Sequence, residues 1–182
     1  MAKWRPTDER TMNPLTESAL ARNLMRVRYR RSWCLPRYTP VGWWECDVFE
    51  ITQAGYFREY EIKLTVADFK ADRMKDRPIR ENEGWRPNTP RTTKQAQLNG
   101  GDRLGPVRFW YVCPKGVLTA EMVPDWAGLI EMERWKTAPQ YMAEVETKKA
   151  PSLHRQKCDP AIAEHAKSVV YYRLHQMIQR RK

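Results

Sequence analysis

The chain has 182 residues and a formal net charge of +11, from 33 Lys and Arg against 22 Asp and Glu. That length suits one domain with a real hydrophobic core and an appended terminal element. The charge favours a polyanionic partner, nucleic acid being the commonest. No run approaches the 18 apolar residues of a membrane span, and the opening "MAKWRPTDER" lacks the apolar stretch of a secretory signal. The expected setting is therefore cytoplasmic, without membrane attachment. Cys34, Cys46, Cys113 and Cys158 are widely spaced and form no CxxC pair. This argues against a zinc ribbon and for reduced, buried thiols.

In chain order, residues 1–12 are polar and expected to be flexible. Asn13-Pro14 offers a helix cap followed by proline, and Leu20, Leu24 and Val27 continue at helical spacing, so a helix is expected over 14–27. Residues 28–42 ("RYRRSWCLPRYTPVG") are basic and proline-containing, and read as irregular. Residues 45–65 ("ECDVFEITQAGYFREYEIKLT") read as two strands and a tight turn, after which Thr65 caps a helix over 66–76. Residues 77–106 are rich in Pro, Gly, Asn and Arg, with a short helix around 93–99. A segment of this length and charge reads as a mobile flap that contacts DNA, with Arg86, Arg91 and Lys94 as candidate contacts.

"VRFWYVCP" (107–114) is an interior strand and Gly128–Glu133 a further short one. Residues 137–158 read as a linker. Asp159-Pro160 then opens a last helix to about residue 180. Its stripe of Ile162, Ala166, Val169, Val170, Leu174, Met177 and Ile178 reads as core packing. The alternative is a partner surface, for a homodimer or another protein. His154, Cys158 and His165 suggest zinc only weakly, because Asp159-Pro160 breaks the helix that would align them. Helix, two strands, helix, two strands and helix together predict an α/β or α+β domain around a mixed sheet.

The hairpin carries the chemistry. Gly55 stands where a three-residue loop, Gln53-Ala54-Gly55, needs a left-handed residue. That loop pairs Thr52 with Tyr56, and counting back gives Glu50 opposite Arg58, Val48 opposite Tyr60, Cys46 opposite Ile62 and Trp44 opposite Leu64. On the other face Ile51 meets Phe57, Phe49 meets Glu59, Asp47 meets Glu61 and Glu45 meets Lys63. Opposed Asp47 and Glu61 would have Cβ atoms about 5 Å apart, which is destabilising for like charges. One resolution is a solvated sheet face with Lys63 and Arg58 balancing the acids. The other is a divalent cation such as Mg²⁺, which takes oxygen ligands and keeps several waters. Lys63 shares Glu61's face and would point at the ion's water or at a phosphate.

Asp47 followed about a dozen residues later by Glu61-Ile62-Lys63 resembles the motif of the PD-(D/E)xK nuclease superfamily, with Cys46 where the name has proline. "EYEIKLTVADFKADRMK" is similar to a stretch of the MmcB-like DNA-repair nucleases and their phage-type relatives, as are "RFWYVCPKGVL" and "VPDWAGLIEM". The resemblance covers about residues 13–133 and leaves 137–182 unmatched. It implies a nuclease-like domain over 13–136 with a restriction-endonuclease-like core. The implied activity is Mg²⁺- or Mn²⁺-dependent cleavage of DNA in repair, recombination or phage DNA metabolism, in a bacterium or a phage-infected host. By position, Asp47, Glu61, the Ile62 carbonyl and Glu17 would hold the metal, and Lys63 would assist the attacking water. Asp68, Lys70, Asp72 and Lys75 fall at family positions on the helix after the motif; they would either pack that helix or border the substrate groove, with Lys70 and Lys75 as candidate DNA contacts. The alternative is a non-catalytic DNA-binding or protein-interaction module that keeps the fold.

Overall fold

A computed structural model describes residues 15–72, 76–78, 91–138 and 141–180. Helix α1 (Glu17–Arg28) starts at Thr16, whose side chain accepts the Ala19 amide. The Asn13-Pro14 start expected for this helix lies outside the described residues. Leu20 and Leu24 are buried, while Val27 is exposed. Three antiparallel strands follow: β1 (Ser32–Tyr38), β2 (Cys46–Thr52) and β3 (Phe57–Ile62). Strand β1 corrects the expectation of an irregular segment. It occupies the edge of the sheet, where a proline such as Pro36 is tolerated, and its one arginine, Arg37, is exposed.

Helix α2 (Val66–Asp72) is capped by Thr65, whose hydroxyl accepts the Asp68 amide at 3.1 Å. Strands β4 (Asp76–Pro78) and β5 (Arg91–Thr93) form a separate two-stranded ribbon, which begins at Asp76, expected as the end of the preceding helix, and otherwise lies in the segment expected to be a loop. Thr93 caps α3 (Lys94–Asn99). Strands β6 (Arg108–Pro114) and β7 (Gly128–Arg134) run parallel to β3, and β8 (Met142–Lys148) closes the far edge antiparallel. Helix α4 (Pro160–Gln179) begins at Asp159 with proline in its first turn, as expected. The sheet order is β1-β2-β3-β6-β7-β8. The chain is thus α+β, with a mixed sheet between helices and an added C-terminal helix.

Two apolar layers sandwich the sheet. On one face α1 sets Leu20 and Leu24 on Val48, Tyr60, Trp110 and Met132. On the other, Phe69 of α2, Leu98 of α3 and Ile162 of α4 cover Phe49, Phe109 and Tyr111. Strand β6 is buried on both faces, which is why it reads as a continuous apolar run. Gly128 cannot carry a side chain: a Cβ there would lie 2.5 Å from Cδ1 of Trp110 and 2.7 Å from the Ala150 amide.

Two further expectations fail. The segment 137–158 contains β8 rather than only linker. Its polar residues are used across the fold: Glu144 meets Arg28 at 3.0 Å, and Glu146 accepts from Trp110 Nε1 at 2.8 Å. The stripe of α4 is core only at Ile162 and Ala166, with Val169 packed beside them. Val170, Leu174, Met177 and Ile178 are exposed because the helix outruns the sheet. Its last tether is Arg173, which donates to the Pro36 and Arg37 carbonyls at 2.5 and 2.6 Å.

Candidate active site

The turn forms as read. Gly55 has a φ of 84° and donates to the Thr52 carbonyl at 2.9 Å, and the Thr52 amide donates to Tyr56 at 3.0 Å. The ladder then pairs Ile51 with Phe57, Glu50 with Arg58, Phe49 with Glu59 and Val48 with Tyr60. There it stops. The expected pairs from Asp47/Glu61 down to Trp44/Leu64 are not part of the β2–β3 ladder. Continued pairing would have given the Ile62 amide a backbone acceptor on residue 46. Instead the amide donates to Asp47 Oδ2 at 2.7 Å. One carboxylate therefore closes the open end of the two strands.

Glu59 and Glu61 share the face covered by α2 and α3, as their two-residue spacing requires. Glu61 is buried and both its oxygens are engaged: Oε1 with Lys63 Nζ at 2.9 Å and Oε2 with Lys94 Nζ at 2.6 Å. Lys94 Nζ also lies 2.5 Å from Glu59 Oε1 and 3.2 Å from the Glu45 carbonyl. The other oxygen of Glu59 accepts from Trp43 Nε1 at 2.7 Å. Lys63, only 2 % exposed, reaches Asp72 at 3.2 Å and Asp68 at 4.0 Å as well. Those two acids lie one turn apart on α2, Asp72 buried and Asp68 exposed.

These surroundings drive the two motif carboxyls apart. Burial pushes Asp47 up, and the charge on Glu61 adds to it; the Ile62 amide opposes them, and the balance is about 7. Burial would push Glu61 up too, but the Lys94 and Lys63 ammoniums outweigh it and hold it at about 2. Two carboxyls separated in this way can take different roles at neutral pH, one a fixed charge and one able to exchange a proton. Burial also raises Glu59 in spite of Lys94.

Of the residues singled out in the sequence, Asp47, Glu61, Ile62 and Lys63 come together. Glu17, in the first turn of α1, pairs with Arg37 at 3.1 Å, and its charge contributes to raising Asp47. Lys70 is exposed on α2. Lys75 and Arg86 lie outside the described residues. Arg91 is exposed and bonded to Asp76 at 2.5 and 2.8 Å. Lys94 is a correction: it was expected on a DNA-contacting flap, but it is 7 % exposed, donates to Glu61 Oε2 and the Glu45 carbonyl, and forms an ion pair with Glu59 Oε1. Lys63 also differs from expectation, since Glu61 and Asp72 hold it. Glu59 was missed although "EYEIK" places three charged residues at every second position, the spacing of one sheet face.

The donor chemistry suits a hard divalent cation. Asp47 and Glu61 are oxygen donors, each carboxylate oxygen keeps a second lone pair beyond its present bond, and Mg²⁺ needs only one or two protein carboxylates. Among the described residues no group of three or more His, Cys, Asp or Glu is arranged to hold a metal ion. His154 and His165 instead face the Gly105 carbonyl and the Tyr38 hydroxyl, at 3.1 and 2.8 Å. A cavity of about 520 Å³, lined by Arg28, Glu50, Arg58, Tyr60, Trp110 and Glu144, opens on the opposite face of the sheet and does not include the cluster.

No family model matches the chain, and no curated protein matches it. Among solved structures, the chain is similar to the SPO1766 protein of unknown function from Silicibacter pomeroyi. The two are 20 % identical with a TM-score of 0.59, and the match covers 92 % of each chain. At that identity the likeness concerns the fold. No helix among the described residues is long and apolar enough to cross a membrane.

Proposed function

We propose that the chain is a metal-dependent nuclease that hydrolyses DNA phosphodiester bonds, with Asp47, Glu61 and Lys63 at its centre. The observation that carries this reading is the β2–β3 end, where Asp47 crosses to the Ile62 amide beside the buried Glu61–Lys63 pair. With the ladder ended there, Asp47 reaches the Ile62 amide while its charge still feels Glu61, and this supports the reading. Asp47, Glu61 and the Ile62 carbonyl would hold the ion, with Glu17 within electrostatic range. A bound Mg²⁺ or Mn²⁺ supplies an activated water and neutralises charge on the phosphate.

The chain's own residues do the rest. Lys94 and Lys63 keep Glu61 ionised at any physiological pH. Asp72 and Glu61 fix the Lys63 ammonium in one position, so its charge is preorganised for a developing anion. Asp47, held at about 7, is ready to release its proton when a cation approaches. The net charge of +11 supports DNA as the partner.

A second reading has an observation of its own. Every oxygen of Glu61 and Glu59 already faces a cationic or N–H donor, so the cluster is neutralised without a metal. A DNA-binding or protein-interaction module keeping the fold would look the same. Incubation of plasmid and linear DNA with the protein, with Mg²⁺, Mn²⁺ or chelator, separates the two. The nuclease reading expects cleavage that chelator abolishes and that Asp47→Ala and Glu61→Ala each remove. Absence of cleavage on any DNA form with either metal would sink it.

A further inference from the structure

Glu59 and Glu61 sit two residues apart on one strand face, about 7 Å along the strand, and both are buried. Two such carboxylates cannot stay ionised together without a cation between them. Lys94 supplies it: its ammonium donates to Glu61 Oε2 and the Glu45 carbonyl at 2.6 and 3.2 Å and forms an ion pair 2.5 Å from Glu59 Oε1, an oxygen with no hydrogen-bond partner of its own among the described residues. Two carboxylates and a backbone carbonyl are also an all-oxygen donor set of the kind a hard divalent cation takes. Lys94 stands at the first position of α3, where the helix dipole disfavours a positive charge. The acids, not the helix, explain why a lysine is there.

We propose that Lys94 is a tethered counter-ion, its ammonium filling the Glu59–Glu61 cage that would otherwise take a divalent cation of its own. Resting on the nuclease reading, this makes the reaction a one-ion reaction: the exchangeable metal belongs to the Asp47 side of Glu61, and the Glu59 side is permanently occupied by the chain. Lys94 is then a positioning residue acting through Glu61, and it is not a phosphate contact.

The test counts bound ions. Mn²⁺ titrations followed by electron paramagnetic resonance and by calorimetry would be run on the wild type and on Lys94→Ala, with circular dichroism to establish folding. The proposal expects the variant to bind one more Mn²⁺ per chain than the wild type, and to gain more in melting temperature on Mn²⁺ addition. An equal count in a folded Lys94→Ala overturns it, as does a wild type that binds two ions. A wild type that binds none, with a variant that binds one, would defeat the nuclease reading and leave the counter-ion intact. Should Lys94→Ala fail to fold with and without Mn²⁺, the double variant Glu59→Gln/Lys94→Met decides. It removes one charge of each sign, so recovery of the fold supports charge compensation and continued failure to fold overturns it.

Discussion

Replacing Asp47 with asparagine isolates the cost of holding a carboxylate at the open end of the hairpin. The side chain keeps its shape and an oxygen for the Ile62 amide, but it no longer ionises. In the folded chain Asp47 titrates at about 7 against an ordinary 3.8. Between those values the folded state holds a proton that the unfolded state has released, so this group's contribution to stability falls as pH rises through that window and is flat above it. At about 1.4 kcal/mol per tenfold change, the full effect is roughly 4 kcal/mol. Urea denaturation in the presence of chelator, from about pH 4 to about pH 8, measures it. Asp47→Asn and wild type should be of similar stability near the acid end, with the variant gaining steadily toward neutral pH by up to roughly 4 kcal/mol. Added Mg²⁺ at pH 8 should restore stability to the wild type and do little for the variant. A difference that does not change with pH, or a variant less stable than wild type at pH 8, would refute the account of Asp47 given above.

Glu61 should behave with the opposite sign. Held at about 2 against an ordinary 4.5, it contributes stability above the ordinary value that is lost as pH falls toward 2; Glu61→Gln should remove that acid limb from the stability profile. Gly128→Ala should destabilise by about 1–3 kcal/mol in thermal or urea unfolding, because the new methyl meets Trp110 and the Ala150 amide. Tyr60→Phe should cost about 1–3 kcal/mol, because the Tyr60 hydroxyl donates to buried Glu50 at 2.5 Å and accepts from Arg28 Nε at 3.0 Å. Replacing Arg86 and Arg91 together with alanine should weaken DNA binding and flatten the salt dependence by roughly two phosphate contacts. Lys94→Ala should leave that slope unchanged, since its ammonium is spent inside the protein.

The elements whose signals are local were readable from the chain alone. Gly55 specified a left-handed turn residue, and with it the register down to Val48 and Tyr60. Thr65 and Asp159 announced helix starts, and the apolar run at 107–114 a strand buried on both faces. The charged period-two pattern of the hairpin likewise marked the place where Asp47, Glu61 and Lys63 meet. What the chain alone did not determine depends on partners far away in sequence. Strands β1 and β8 are edge strands whose polar residues make sense only against β2, α1 and Trp110. The end of the ladder at Val48 is a tertiary event, decided by a side chain outcompeting a backbone acceptor for the Ile62 amide. Lys94 shows the same limit most sharply. In sequence it is one more basic residue in a basic loop. Only the packing of α3 against the sheet carries it to two glutamates more than thirty residues earlier, because a buried pair of like charges holds whatever cation the fold can bring to it.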